Sequence, residues 1–164
     1  REELRLKEKI EQSNKQLEKR VIQRTNEILK LSQALENIPI MIAITDSNGF
    51  IEYVNPHFCQ VSGYSSKDIT GKNLSIIRSL DTSNTLCHDL WNTINKGHIW
   101  SGELCNLRKD GSEFWVSASI GAFFSDDDKI VNYISIEEDI TGKNQAEKNL
   151  ILAKEKAENA NTAK

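Results

Sequence analysis

Trp100-Ser101-Gly102-Glu103-Leu104-Cys105-Asn106-Leu107-Arg108-Lys109-Asp110-Gly111 opens the stretch that decides the fold, and Glu138-Asp139-Ile140-Thr141 closes it. Between them lie two alternating segments, Phe114 to Phe124 and Ile130 to Ile136, joined by the acidic turn Asp126-Asp127-Asp128. Alternation with period two places one set of side chains on each face of a sheet, so these segments read as strands. The Lys-Asp-Gly and acidic turns make them consecutive hairpins. After Thr141 the pattern becomes helical. The stretch is therefore an antiparallel meander that passes its last strand into a helix.

Upstream, residues 1 to 38 contain no Gly and no Pro. Apolar residues recur there in two interleaved rows: Ile10, Leu17, Leu31 and Ile38 in one, and Val21, Ile28 and Leu35 in the other. Alternate spacings of three and four form a coiled-coil seam. Asn14 falls in the second row and Arg24 in the first, and a polar seam residue fixes register while favouring two strands. The alternative is one amphipathic helix lying on its own domain. Pro39 ends the helix, because it lacks a donor and disfavours a helical residue before it.

Ile40 to Thr45 and Phe50 to Val54 then read as a hairpin around the turn Asp46-Ser47-Asn48-Gly49. Asn55-Pro56 has the cap and first-turn residues of a helix start. Short helices follow, including Ser66 to Ile69 before Gly71. A longer one, Ser83 to Asn95, carries Leu86, Leu90 and Ile94 on one face and ends at Gly97. From Asn144 onward, Ala146, Leu150, Ala153, Ala157 and Ala160 form a second, thinner heptad seam suited to a moving connector.

With 164 residues, the chain accommodates one domain plus accessory helices. A net charge of −3 gives no basic surface for nucleic acid. No apolar run approaches the ~20 residues that span a bilayer, and no signal peptide is read. A cytoplasmic fragment without direct membrane contact is expected, cut from a longer parent that could itself be membrane-anchored. Cys59, Cys87 and Cys105 lack a Cys-x-x-Cys pair and are expected to be reduced thiols. There is no Ser-His-Asp pattern, phosphate-binding Gly-rich loop or paired His ligand set, so no catalytic or metal site is expected in the chain.

From Leu35 to Thr141 the order of motifs resembles a PAS sensor domain. The matching pieces are Asp46-Ser47-Asn48-Gly49, Tyr53-Val54-Asn55-Pro56-His57-Phe58, Gly63-Tyr64-Ser65, Gly71-Lys72-Asn73 and the closing Asp139-Ile140-Thr141. The fold class implied is α+β: a five-stranded antiparallel sheet with short helices on one face, around an apolar pocket. Domain limits follow as 1–38 for the signalling helix, 39–141 for the PAS domain and 142–164 for the output helix. The flanks, Leu17 to Thr25 and Ala153 to Lys164, resemble linkers in bacterial sensor histidine kinases, including the residues just before the phosphoacceptor helix. The resemblance implies a homodimer whose partners in the parent chain are a phosphoacceptor and a catalytic kinase domain.

Mapping by resemblance turns Met41, Ala43, Thr45, Leu104, Asn106, Val116, Ala118, Tyr133, Ser135 and Glu137 towards the pocket. Opposite parity leaves Ile42, Ile44, Ile134 and Ile136 on the outer face, where an apolar patch needs a cover. Leu31, Leu35 and Ile38 or a partner subunit are the expected covers, which makes Asn14, Leu17, Val21, Ile28 and these residues the dimer set. The pocket lining fits a small organic ligand, and equally a filled core with a few satisfied polar groups.

Light-oxygen-voltage domains carry a photoreactive cysteine after Gly-x-Asn, and Leu74 holds that place here, so no flavin adduct is expected. Asn106 matches a flavin-contacting asparagine, but the next polar contact falls at Val116. Haem would use His88, which is displaced if Leu86, Leu90 and Ile94 face the core. Neither cofactor is expected. The function expected is a sensory relay, with Asp139, Ile140 and Thr141 as the corner that transmits. A ligand-free dimerisation relay is the alternative, ahead of a haem or redox sensor.

Overall fold

A computed structural model describes residues 1–80 and 82–163. They divide into two units, 1–38 and 39–164. The first is a single helix, α1 (Glu2–Asn37), which buries none of its residues. Ile38 leaves it with extended backbone (φ −81°, ψ 131°), the conformation a following proline imposes. Ile10, Leu17, Val21, Ile28 and Leu31 are exposed along its length, together with Leu4, Leu6, Ile22 and Leu29, which lie outside the two seam rows.

The second unit is an antiparallel sheet with helices over one face. Strand β1 (Met41–Asp46) and β2 (Ile51–Val54) form the first hairpin. Its turn is held by the Asp46 carboxylate, whose Oδ1 accepts from the backbone N–H of Asn48 (2.8 Å) and Phe50 (2.9 Å). Gly49 sits at φ +84°, where an L side chain is strained. Helices α2 (Pro56–Ser62) and α3 (Ser66–Ile69), a 3₁₀ turn (Leu74–Ile77) and α4 (Asn84–Asn95) follow. Each start is capped by the side chain just before it: Asn55, Ser65, Asn73 and Ser83 accept from backbone N–H groups of the first turn.

Strands β3 (Trp100–Leu107), β4 (Glu113–Phe124) and β5 (Ile130–Asp139) complete the sheet in the order β2-β1-β5-β4-β3. The fifth strand runs three residues past the expected Ile136, because β4 supplies partners as far as Val116↔Asp139. Helix α5 (Thr141–Thr162) leaves directly from its end. This is the α+β, five-stranded antiparallel architecture expected from the sequence.

Helix α4 buries Leu90 and Ile94, with Leu86 half-buried, as the spacing predicts. It is also pinned by a polar contact: Trp100 Nε1 of β3 donates to Asp89 Oδ2 at 3.0 Å. The core beneath the helices joins Phe58, Ile69, Ile77, Leu90 and Ile94 to Met41, Ala43, Phe114, Val116 and Ala118 of the sheet. On the opposite face the register sets Ile42 against Ile136 and Ile44 against Ile134. Ile136 is 42% exposed, while Ile42 is buried and Ile44 and Ile134 are half-buried.

A buried carboxyl in a cavity and a bonded exit corner

Between the inner face of the sheet and the α4–3₁₀ layer lies a cavity of about 140 Å³. Seven of the ten residues assigned to a pocket from sequence border it: Ala43, Thr45, Leu104, Asn106, Tyr133, Ser135 and Glu137. Met41, Val116 and Ala118 do not. They share the inward face, but are packed into the hydrophobic core with Phe58 and Phe114. Pleat parity selects a face; it does not say where along the strand the overlying helices stand off. The remaining wall comes from Leu90, Trp91 and Ile94 of α4, Leu74, Ser75 and Ile77 of the 3₁₀ turn, Asn73 and Arg78 on either side of it, Asn48 and Gly49 of the first hairpin turn, and Ile120 of β4. The helical spacing of Leu90 and Ile94 marked them as inward-facing; nothing local marked Trp91 or Arg78. Ile134, assigned to the outer face, also borders the cavity between Tyr133 and Ser135.

Polar groups gather at one end. Glu137 is 4% exposed and takes two hydrogen bonds: Ser135 Oγ donates to Oε1 (2.7 Å) and Asn106 Nδ2 to Oε2 (3.0 Å). Burial pushes its carboxyl above the ordinary value of 4.5, and these two bonds pull the other way. No cation lies within ion-pairing distance of it among the described residues. At the other side, Trp91 and Tyr133 meet edge to face, with centroids 5.4 Å apart at 82°. Tyr133 is held by its hydroxyl, which donates to Asn95 Oδ1 at 3.1 Å.

The sign of the Glu137 shift makes a prediction. A carboxyl whose folded pKa lies above its unfolded value stabilises the fold fully below the unfolded value, near 4.5. That contribution is lost as pH rises through the folded value. Glu137→Gln keeps the shape, removes the titration and should remain level where the wild type declines. Above the transition the variant should be the more stable of the two, because the buried carboxylate has hydrogen bonds but no counter-ion. Parallel melting curves for the two proteins between about pH 4 and 8 would exclude a buried titrating role for Glu137.

Strand β5 carries a second polar arrangement two residues beyond Glu137. Asp139 Oδ1 accepts from the Thr141 backbone N–H at 2.9 Å. Thr141 Oγ1 accepts from Trp115 N (2.9 Å), and Ile140 N donates to Trp115 O (2.9 Å). Ile140 is buried, and Arg108 Nη2 stands 3.9 Å from Asp139 Oδ2. The first turn of α5 is thus bonded to β4 as well as continuous with β5. All three residues assigned to the corner from sequence take part in it.

His88 is exposed and does not border the cavity, so it offers no axial ligand to a group inside. Leu74 does border it, and no thiol stands in its place. The volume is near the ~150 Å³ of an engineered cavity that holds benzene in another protein. Among the described residues, no cysteine or histidine borders the cavity.

A family model described as PAS domain matches residues 39–142, and the chain belongs to that family. It is similar to a nitrogen fixation regulatory protein of Klebsiella oxytoca, at 28% identity over 107 residues, covering 65% of this chain and 22% of that protein. Among solved structures it resembles the PAS domain of a Colwellia psychrerythraea protein (26% identity, TM-score 0.63, 70% of this chain and 98% of that one). It also resembles a blue-light activated histidine kinase of Erythrobacter litoralis (25% identity, TM-score 0.58, 67% and 36%). The chain spans about a fifth of the length of the curated relatives it matches. It therefore carries a PAS sensory domain of the kind found in signalling proteins. No helix among the described residues is long and apolar enough to cross a membrane.

Proposed function

We propose that the chain is the cytoplasmic, dimeric sensory module of a sensor histidine kinase. In this reading it binds a small organic ligand in the cavity and relays occupancy through α5. The observation that carries the reading is the placement on β5 of Glu137, which borders the cavity, and Asp139, which bonds the exit corner two residues later. A shift of β5 under a ligand changes the seating of Asp139, and hence the direction of α5. A bias of a few kcal/mol between two helix arrangements is enough for such a signal. The kinase parent is supported by the linker-like ends of the chain and by the likeness to a histidine kinase. The exposed seam of α1, with Asn14 inside it, and the outer-face isoleucines supply the dimer surfaces.

A ligand-free relay is the second reading. It is favoured by the modest cavity and by the hydrogen bonds that Glu137 already has from its own neighbours. Native mass spectrometry of the purified chain, with an absorption spectrum, separates the two. The expected species is a dimer of twice 18.6 kDa, carrying a small organic molecule and no visible band. A stable monomer would overturn the dimeric reading. A haem band that vanishes in His88→Ala would overturn the ligand class.

A further inference from the structure

Among the described residues, the Glu137 carboxyl is the one acidic group bordering the cavity, and it has hydrogen-bond donors but no cation within ion-pairing distance. A buried carboxylate without a counter-ion is costly and is stabilised by pairing. Arg78 also borders the cavity, but its guanidinium donates to Cys87 Sγ (3.6 Å) rather than to Glu137. The rest of the wall combines aliphatic residues with the uncharged polar Thr45, Asn48, Asn73 and Ser75, and with Trp91 and Tyr133, whose aromatic faces attract cations. A site with one buried acid, an apolar body and an aromatic corner is complementary to a molecule with the same layout reversed.

We propose that the cavity takes a small organic cation, a protonated amine on a compact apolar or aromatic body, with Glu137 as its counter-ion. This rests on the reading of the cavity as a ligand site and adds the chemical class. The ammonium lies against the Glu137 carboxylate, beside the Ser135 and Asn106 groups that orient it, and the body fills the space under α4. Any proton on the Glu137 carboxyl leaves to solvent as the cation enters, so the buried pair is neutral overall. A body much larger than one ring does not fit about 140 Å³.

Benzylamine and benzyl alcohol test the class, since they share a skeleton and size and differ in charge near neutral pH. Both are titrated into isotope-labelled full chain while the indole N–H of Trp91 and the side-chain amide of Asn106 are followed by NMR. Benzylamine is expected to bind at least tenfold more tightly than the alcohol, and Glu137→Gln is expected to bring the two within about twofold, since the counter-ion is gone. Equal binding, or preference for the alcohol, overturns the cation class and leaves the cavity a ligand site. A preference that survives Glu137→Gln overturns the role of Glu137. Binding of neither compound overturns the ligand-site reading and the class with it. The wild-type ratio decides the class even if the variant does not fold.

Discussion

Asn55→Ala is expected to destabilise the domain by about 3–5 kcal/mol, several times the cost of losing an ordinary helix cap. Asn55 is fully buried, and its side chain bonds backbone groups on two elements. Its Oδ1 accepts from Ile42 N (2.9 Å) and Phe58 N (3.1 Å), and its Nδ2 donates to Ile40 O (2.7 Å). One side chain therefore caps α2 and ties that helix to the beginning of β1. Each net bond contributes about 1 kcal/mol, and orphaning buried backbone groups costs about 1–3 kcal/mol more. Asn55→Ser should recover only part, because a hydroxyl can cap Phe58 but does not span to Ile40. The check is the urea midpoint of each variant at unchanged m-value. A loss of only ~1 kcal/mol would make Asn55 a simple cap and leave the β1 tie without energetic weight.

Asp139→Ala should have the opposite profile, with little lost in stability and much in coupling. The variant loses the bond to Thr141 N and a partly exposed ion pair at 3.9 Å, together about 1 kcal/mol. Ile140 remains buried and Trp115 keeps its backbone bonds to the corner, so the sheet stays intact. What disappears is the contact that, in the proposed relay, couples the direction of α5 to the position of β5. In the proposed kinase parent, autophosphorylation should stay fixed, on or off, whatever the stimulus. In this chain, amide exchange in the first turn of α5 should speed up by about tenfold or more while the melting temperature moves little, as a local opening does. A parent that still responds fully to stimulus would make the corner a passive linker.

Much of this architecture was legible because it is written locally. Pro39, Gly49, Asn55-Pro56, Ser83 and Gly97 each act on the backbone within a turn of their own position, and the elements begin or end beside them. Alternation in β4 and β5 indicated which residues face inward, and the structure keeps that parity except at Ile134, which also borders the cavity. Half of the exit corner was readable for the same reason: the Asp139 carboxylate accepts from the Thr141 backbone N–H two residues on, whereas Thr141 Oγ1 accepts from the distant Trp115 N.

The cavity was only half legible. Met41, Val116 and Ala118 carry the same inward parity as Ala43, Ser135 and Glu137, yet the first three meet packed core and the others meet space. Trp91 and Arg78 reach the wall from positions that no local pattern marks.

The sequence by itself determined the elements, their faces and the exit from sheet to helix, since propensity, capping and pleat parity act between neighbours in the chain. The tertiary structure alone decided where the helices stand off the sheet, and which chemistry meets there. Asn106 reaches Glu137 across 31 positions of sequence, and Asn55 is a cap by sequence but a clamp by contact. Such contacts are set by how far apart the layers pack, a distance summed over every side chain between them, and no short window of residues contains that sum.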